Sequence, residues 1–243
     1  MTTRALPGPT EGHYRCESCG YARPTPQISA SVPVISPRVS SVEMQAFGER
    51  AVFQVALPGR YNVYNALAAV ATSVVAGTSL AIAARAIGEA HGAFGRAETV
   101  MVRGQEVRLF LIKNPTGADE VFRVVASGDR DATLVLLLSD NAADGEDVSW
   151  IWDAALELLL PWNGPILCGG TRAEDMALRL KYGGQAQPAV VVPRDIGAAV
   201  QRAIDMTLAK RPVNILATYT AMLAARSELA RAGHVEQYWR KKS

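Results

Sequence analysis

Beyond Gly95 the sequence predicts an α/β domain built on a doubly wound, mainly parallel sheet. Strand-like segments alternate there with helical segments of about 10 to 15 residues, the spacing that βαβ units require. Ala132 to Leu138 is an unbroken apolar run bounded by Asp131 and Asp140, as expected of a strand buried on both faces. Ahead of Gly95 the pattern is different: one alternating stretch and then two helical repeats, which make a smaller preceding unit.

In chain order, Met1 to Pro37 is dominated by proline, serine and threonine and reads as an irregular lead-in, in which Ile28 to Val34 alone could pair as a strand. Val42 to Val55 partly alternates, with a turn at Phe47 to Glu49, and reads as a hairpin that Pro58-Gly59 stops. Arg60 to Val75 carries Ala, Leu and Val on a helical period, and Leu80 to His91 repeats it after Gly77. Thr99 to Arg103 and Val107 to Ile112 flank Gly104 as a second hairpin. Trp150 to Leu160, Arg172 to Tyr182, Ile196 to Ala209 and Tyr219 to Ala232 read as helices, separated by strands at Ile166 to Cys168, Ala189 to Val192 and Val213 to Ala217. The domain boundary is expected near Phe94 to Glu98. That divides the chain into a lead-in (1–41), a helical unit (42–95) and the α/β domain (96–243).

Composition narrows the function. With 243 residues, 49% hydrophobic and 20% charged, the chain can bury a sizeable core, and disordered, collagen-like and coiled-coil classes are excluded. Apolar runs such as Ala66 to Ala76 fall short of the roughly 20 residues that span a bilayer, and Met1 to Pro9 lacks an apolar signal region, so a cytoplasmic address is expected. A net charge of +2, with no basic block longer than Arg240 to Lys242, argues against a nucleic-acid partner. Three cysteines do not make a disulfide framework.

Ligands of doubly wound sheets sit beyond the carboxyl ends of the strands, so the segments there carry most weight. Lys113-Asn114-Pro115-Thr116-Gly117 offers a cation, an amide and a turn for a phosphate or an adenine edge, against a plain strand-to-helix loop. Ser139 to Trp150 holds four acidic residues, Asp140, Asp144, Glu146 and Asp147, where one Asp or Ser suffices to cap a helix. That surplus points to metal binding or a catalytic carboxylate, although solvated acidic loops more commonly give such runs. Gly169-Gly170-Thr171-Arg172-Ala173-Glu174 opens a helix whose free N–H groups could receive an anion. Cys16-Glu17-Ser18-Cys19-Gly20 is half of a zinc knuckle. Cys168 belongs to a buried strand and His13 is a poor substitute, so the four-ligand shell is incomplete within this sequence. Neither G-x-x-x-x-G-K-[ST], nor G-x-G-x-x-G after a strand, nor G-x-S-x-G occurs, which disfavours an autonomous kinase or hydrolase.

Gly59-Arg60-Tyr61-Asn62-Val63-Tyr64-Asn65-Ala66-Leu67-Ala68-Ala69, followed by Phe94-Gly95-Arg96-Ala97-Glu98, resembles the middle-domain helix and interdomain hinge of the Mur ligases, the ATP-dependent amide-bond formers of peptidoglycan synthesis. Lys113 to Gly117, Asp140 to Trp152, Gly170 to Glu174 and Tyr219-Thr220 narrow the resemblance to the MurT-like synthetase subunits of lipid II isoglutaminyl synthase. The most specific string is Ser139 to Gly145 with Asp147 and Ser149-Trp150-Ile151-Trp152-Asp153. The resemblance implies a Mur ligase C-terminal-like fold after a middle-domain remnant, with a partial zinc ribbon in the lead-in.

It also implies chemistry. A glutaminase subunit, GatD, would supply a Cys and a His, and Asp147 would complete their triad, fixing the imidazole tautomer and raising its basicity. Ammonia from glutamine would then attack an acyl phosphate made from ATP on the D-glutamate of the lipid II stem peptide, at the inner face of the membrane. Asn62, Asn65, Arg96, Lys113, Asn114 and Thr116 are the implied nucleotide or substrate contacts, with magnesium in the complete enzyme, and Cys16 and Cys19 are half of a zinc site. The resemblance is to the C-terminal part of such a subunit. The P-loop lysine and the magnesium ligands would lie ahead of it, so this sequence alone is not expected to activate a carboxylate. The alternative is a non-catalytic scaffold or regulatory module that docks a glutaminase.

Overall fold

The computed structural model describes residues 14–35, 39–57, 59–90, 96–208 and 210–234, which fall into two compact units, residues 1–91 and 92–243.

In the first unit, strands β1 (Ile28–Ile35), β2 (Ser40–Ala46) and β3 (Glu49–Val55) form an antiparallel sheet in that order. The hairpin β2–β3 turns at Phe47 and Gly48, both with left-handed φ, and pairs Ala46 with Glu49. Alternation in β2 buries Val42, Met44 and Ala46 on one face, where they meet Val63, Ala66 and Val70 of helix α1 (Arg60–Val75) and Leu80, Ala83 and Ala84 of α2 (Leu80–Gly88). Ser79 caps α2 by accepting from the Ile82 amide (3.4 Å). The hairpin and both helices lie where the sequence places them, except that α2 stops at Gly88, short of His91.

The second unit contains a six-stranded sheet in the order β4-β5-β9-β6-β7-β8. Its strands are β4 (Arg96–Val102), β5 (Gln105–Leu111), β6 (Thr133–Leu137), β7 (Ile166–Gly170), β8 (Val190–Pro193) and β9 (Val213–Ala217). β4 runs antiparallel to β5, and every other pairing is parallel. Every residue of β6, β7 and β9 is buried, Thr133 and Asn214 being their buried polar positions, which explains the mainly apolar run from Ala132 to Leu138. Helices α3 (Pro115–Ala126) and α4 (Ala173–Tyr182) contribute Phe122, Met176 and Leu180 to the core on one face. Helices α5 (Ile196–Met206) and α6 (Tyr219–Arg231) contribute Val200, Ala203, Met222 and Leu229 to the core on the other. This is the doubly wound architecture the alternation predicts.

Two elements differ from the sequence reading. Pro115 to Ala126 is a helix, although Lys113 to Gly117 reads as a loop: Pro115 occupies the first helical position and Asn114 accepts from the Gly117 amide (2.8 Å) as its cap. Trp150 to Leu160, expected as one helix, instead forms two 3-10 turns, Ser149–Trp152 and Leu156–Leu159. In an α-helix the Ala155 amide would donate to the Ile151 carbonyl. Here it donates to Asp119 Oδ1 (2.7 Å), while the Ile151 and Ala154 carbonyls accept from the buried Arg179 guanidinium (3.0 and 3.1 Å). Tertiary partners thus outcompete the helical ladder.

Candidate functional site

The carboxyl ends of β5, β6, β7 and β9 present Lys113-Asn114, the Ser139 to Ser149 loop, Thr171-Arg172 and Thr218 to Thr220 along one rim of the sheet. The acidic loop ties much of this rim together. Its Ser139 amide donates to Thr218 Oγ1 (3.1 Å) just past β9.

Asp140 serves the start of α4. Thr171 donates its hydroxyl to Asp140 Oδ1 (2.7 Å) and accepts from the Asp140 amide (3.1 Å), and Arg172 Nε lies 3.4 Å from Asp140 Oδ2. The Thr171 hydroxyl, helped by the Arg172 charge, holds the Asp140 carboxyl below the ordinary carboxylate range. Gly170 makes the close approach possible: its φ is +100° and a Cβ there would lie 2.2 Å from the Leu138 carbonyl oxygen. α4 has no side-chain cap of its own and carries Glu174 and Asp175 in its first turn, so Asp140 adds a further carboxylate near its N-terminus.

Asp144 serves the start of α6 in the same way. Thr218, at the N-cap position, makes no side-chain capping bond, whereas Asp144 Oδ1 accepts from the Thr220 amide (2.7 Å) and Oδ2 from the Thr220 hydroxyl. Asn141 Nδ2 donates to the same hydroxyl (2.7 Å), and a turn closes the loop from the Asp144 amide to the Asn141 carbonyl (2.7 Å). Gly145 then takes a left-handed φ of +90° and reverses the chain toward Asp147.

Asp147 is exposed, between this clamp and the buried Val148. Its Oδ1 accepts from the Ser149 amide (2.8 Å) at the mouth of the first 3-10 turn, and this bond, with the Ser149 hydroxyl, lowers its pKa. It is therefore a carboxylate at neutral pH on a fixed turn. Beside it, Trp152 is 48% exposed, with the Arg179 guanidinium 5.5 Å from its ring and the Tyr182 ring 6.1 Å away. Arg179 was not singled out in the sequence, although its placement on the Ala173, Met176 and Leu180 stripe of α4 is a visible signal: a cation on an apolar helix face must find partners.

The acids of the loop do not converge. Among the described residues no three His, Cys, Asp or Glu side chains come together to hold a metal, which corrects the metal reading of the acidic run. The same holds at Cys16 and Cys19. Both thiols are exposed on a turn, with Cys16 held below the ordinary thiol range by the Cys19 amide and thiol, but two donors do not fit a tetrahedral zinc. His13 lies outside the described residues.

The expected nucleotide contacts divide between the units. In the first, Asn62 is buried on α1 and Asn65 is exposed. In the second, Lys113, Asn114 and Thr116 are exposed together at the carboxyl end of β5, with the Asn114 oxygen committed to capping α3. Arg96 begins β4, and its side chain lies outside the described residues. The described residues offer no carboxylate cluster that fits magnesium.

Comparison with known proteins agrees with this architecture. Residues 111–222 match the MurT ligase C-terminal family model. The chain is 35% identical over 223 residues to the lipid II isoglutaminyl synthase (glutamine-hydrolyzing) subunit MurT of Streptococcus pneumoniae, covering 90% of this chain and 48% of that protein. It is 31% identical to the subunit of the same name from Staphylococcus aureus, over 80% of this chain and 43% of that one. The chain thus spans about half the length of the curated relatives it matches. Among solved structures, MurF from Acinetobacter baumannii superposes with a TM-score of 0.65 at 20% identity, covering 84% of this chain and 45% of that one. A pseudomurein peptide ligase type C from Methanothermus fervidus does so at 0.64 and 15%, covering 91% and 45%. The fold of this chain is that of the Mur ligases.

Proposed function

We propose that this chain, which belongs to the MurT family through its MurT ligase C-terminal domain at residues 111–222, acts within a lipid II isoglutaminyl synthase by contributing Asp147 to the active site of a glutaminase subunit, GatD. A ligase-type subunit follows from the family. The amide donor, the partner and the lipid II substrate belong to this proposal. The observation that carries it is Asp147 itself, an exposed carboxylate hydrogen-bonded to the Ser149 amide and left out of the clamps that occupy Asp140 and Asp144.

In the proposed complex, the Asp147 carboxylate accepts the N–H of the partner's histidine and fixes the tautomer whose other nitrogen deprotonates the partner's cysteine. The thiolate attacks the glutamine amide and releases ammonia. That ammonia is used to amidate the α-carboxyl of D-glutamate in the stem peptide, an ATP-dependent step of the whole enzyme. Asn62, Asn65, Arg96, Lys113, Asn114 and Thr116 are the proposed nucleotide or substrate contacts. Neither zinc nor magnesium is assigned to residues of this chain. No helix among the described residues is long and apolar enough to cross a membrane. The lipid-linked substrate is proposed to be met at the inner membrane face.

The test is Asp147→Asn in the complex with the glutaminase subunit. Loss of the corresponding carboxylate costs about 10⁴-fold in a serine protease, so glutamine hydrolysis should fall by about three to four orders of magnitude with partner binding intact. Full glutaminase activity in that variant would overturn the assignment.

A further inference from the structure

Asp147 works as proposed only if its loop is held still, and the structure shows what holds it. The loop leaves the sheet at Ser139 and re-enters the core at Val148. Between those points Asn141 and Asp144 both bond to one side chain, Thr220, in the first turn of α6. Asn141 Nδ2 donates to the Thr220 hydroxyl, and that hydroxyl donates to Asp144 Oδ2, while Asp144 Oδ1 accepts from the Thr220 amide. The hydroxyl is thus acceptor to one loop residue and donor to another, a two-sided role that no aliphatic side chain of the same shape can fill. Asp144 and Val148 then bracket Asp147 within a few residues, and a residue pinned on both sides has little freedom left.

We infer that Thr220 is a positioning residue for glutamine hydrolysis: it fixes the loop that presents Asp147 to the partner's histidine. This rests on the catalytic reading of Asp147. Thr220 touches neither the substrate nor the reacting atoms, and the distance along the sequence from Asp147 to Thr220 is why nothing local reveals the connection. Its action is on geometry, and misplacement of a catalytic group by about an ångström is enough to cost orders of magnitude in rate.

The experiment compares Thr220→Val, Thr220→Ser and Asp147→Asn in the complex with the glutaminase subunit, following glutamine hydrolysis. Valine keeps the shape and removes the hydroxyl, and serine restores it. Thr220→Val is expected to lower kcat about tenfold or more with KM for glutamine within about twofold, and Thr220→Ser to restore kcat to within about twofold of the parent. In Thr220→Val, amide hydrogen exchange at Asp144 to Asp147 should accelerate while the β6 and β9 amides stay protected, which separates loop release from unfolding. An unaltered kcat in Thr220→Val beside an inactive Asp147→Asn would overturn the positioning role alone, and so would failure of serine to restore activity. A fully active Asp147→Asn would overturn the catalytic reading and this inference with it.

Discussion

Removing the Arg179 guanidinium should unfold the segment that carries Trp152 before it harms anything else. Arg179 is 5% exposed, and its Nε and Nη2 donate to the Ile151 and Ala154 carbonyls at 3.0 and 3.1 Å. Both are charge-assisted bonds; the Ala154 carbonyl also accepts from the Leu156 amide (2.8 Å), so it is the Ile151 carbonyl that removal of Arg179 orphans, at a cost of about 1 to 3 kcal/mol. The ion pair with Glu157 (2.8 Å) adds little, because Glu157 is 58% exposed and solvent screens it. Arg179→Met keeps most of the apolar stem, so packing against Trp152 is largely preserved and the loss is chiefly the two bonds, about 3 to 4 kcal/mol in all. For a unit of this size that corresponds to a drop in Tm of roughly 8 to 14 °C. Thermal unfolding followed by near-UV circular dichroism reads it, since Trp152 and Trp162 report the affected region, and Glu157→Gln is the control expected to stay within about 0.5 kcal/mol. A loss below about 1 kcal/mol in Arg179→Met, or an equal loss in Glu157→Gln, would refute the claim that the carbonyls and not the ion pair are what Arg179 stabilises.

Cys168 is fully buried in β7, and burial pushes its thiol up to about 12, so it should resist a thiol reagent at pH 8 until the protein unfolds, while the exposed Cys16 and Cys19 react at once. A third thiol titrating in the native protein would contradict the burial. The Asp140 pKa is lowered by Thr171 and Arg172, so its stabilising contribution is complete above the unfolded-state value near 4 and is lost as pH falls through the lower folded value. The Tm advantage of the parent over Asp140→Asn should therefore shrink as pH falls below about 4, and a gap independent of pH would show that the charge of Asp140 is not what matters.

The fold was legible because its signals are local. β6, β7 and β9 are buried on both faces and are apolar or small at nearly every position, Thr133 and Asn214 excepted, and the helices between them declare their period within a dozen residues. The larger exception is where tertiary hydrogen bonds replace local ones. Nothing in the Trp150 to Leu160 string announces that Asp119 and Arg179, far off in sequence, will take the amide and carbonyls a helix needs. Likewise, Lys113 to Gly117 reads as a loop because its capping bond from the Gly117 amide to Asn114 looks, in sequence, like any turn.

The acidic loop shows why charge composition fails as a guide to a site. A metal requires oxygens that converge, and four acids within eight positions seem to offer them. Yet a helix N-terminus attracts carboxylates: α4 has no side-chain cap but has Glu174 and Asp175 in its first turn, and α6 has neither a side-chain cap nor an acid there. Asp140 goes to one and Asp144 to the other, in opposite service, and the carboxylates diverge. With these two accounted for, Glu146 and Asp147 remain exposed, and Asp147 is the one whose bond to the adjacent Ser149 amide orients its carboxylate without tying it to another element of the fold. The identity of the exceptional acid is therefore a property of the sheet topology, which brings the β7–α4 and β9–α6 junctions to the two sides of β6, and no count of residues along the chain could supply it.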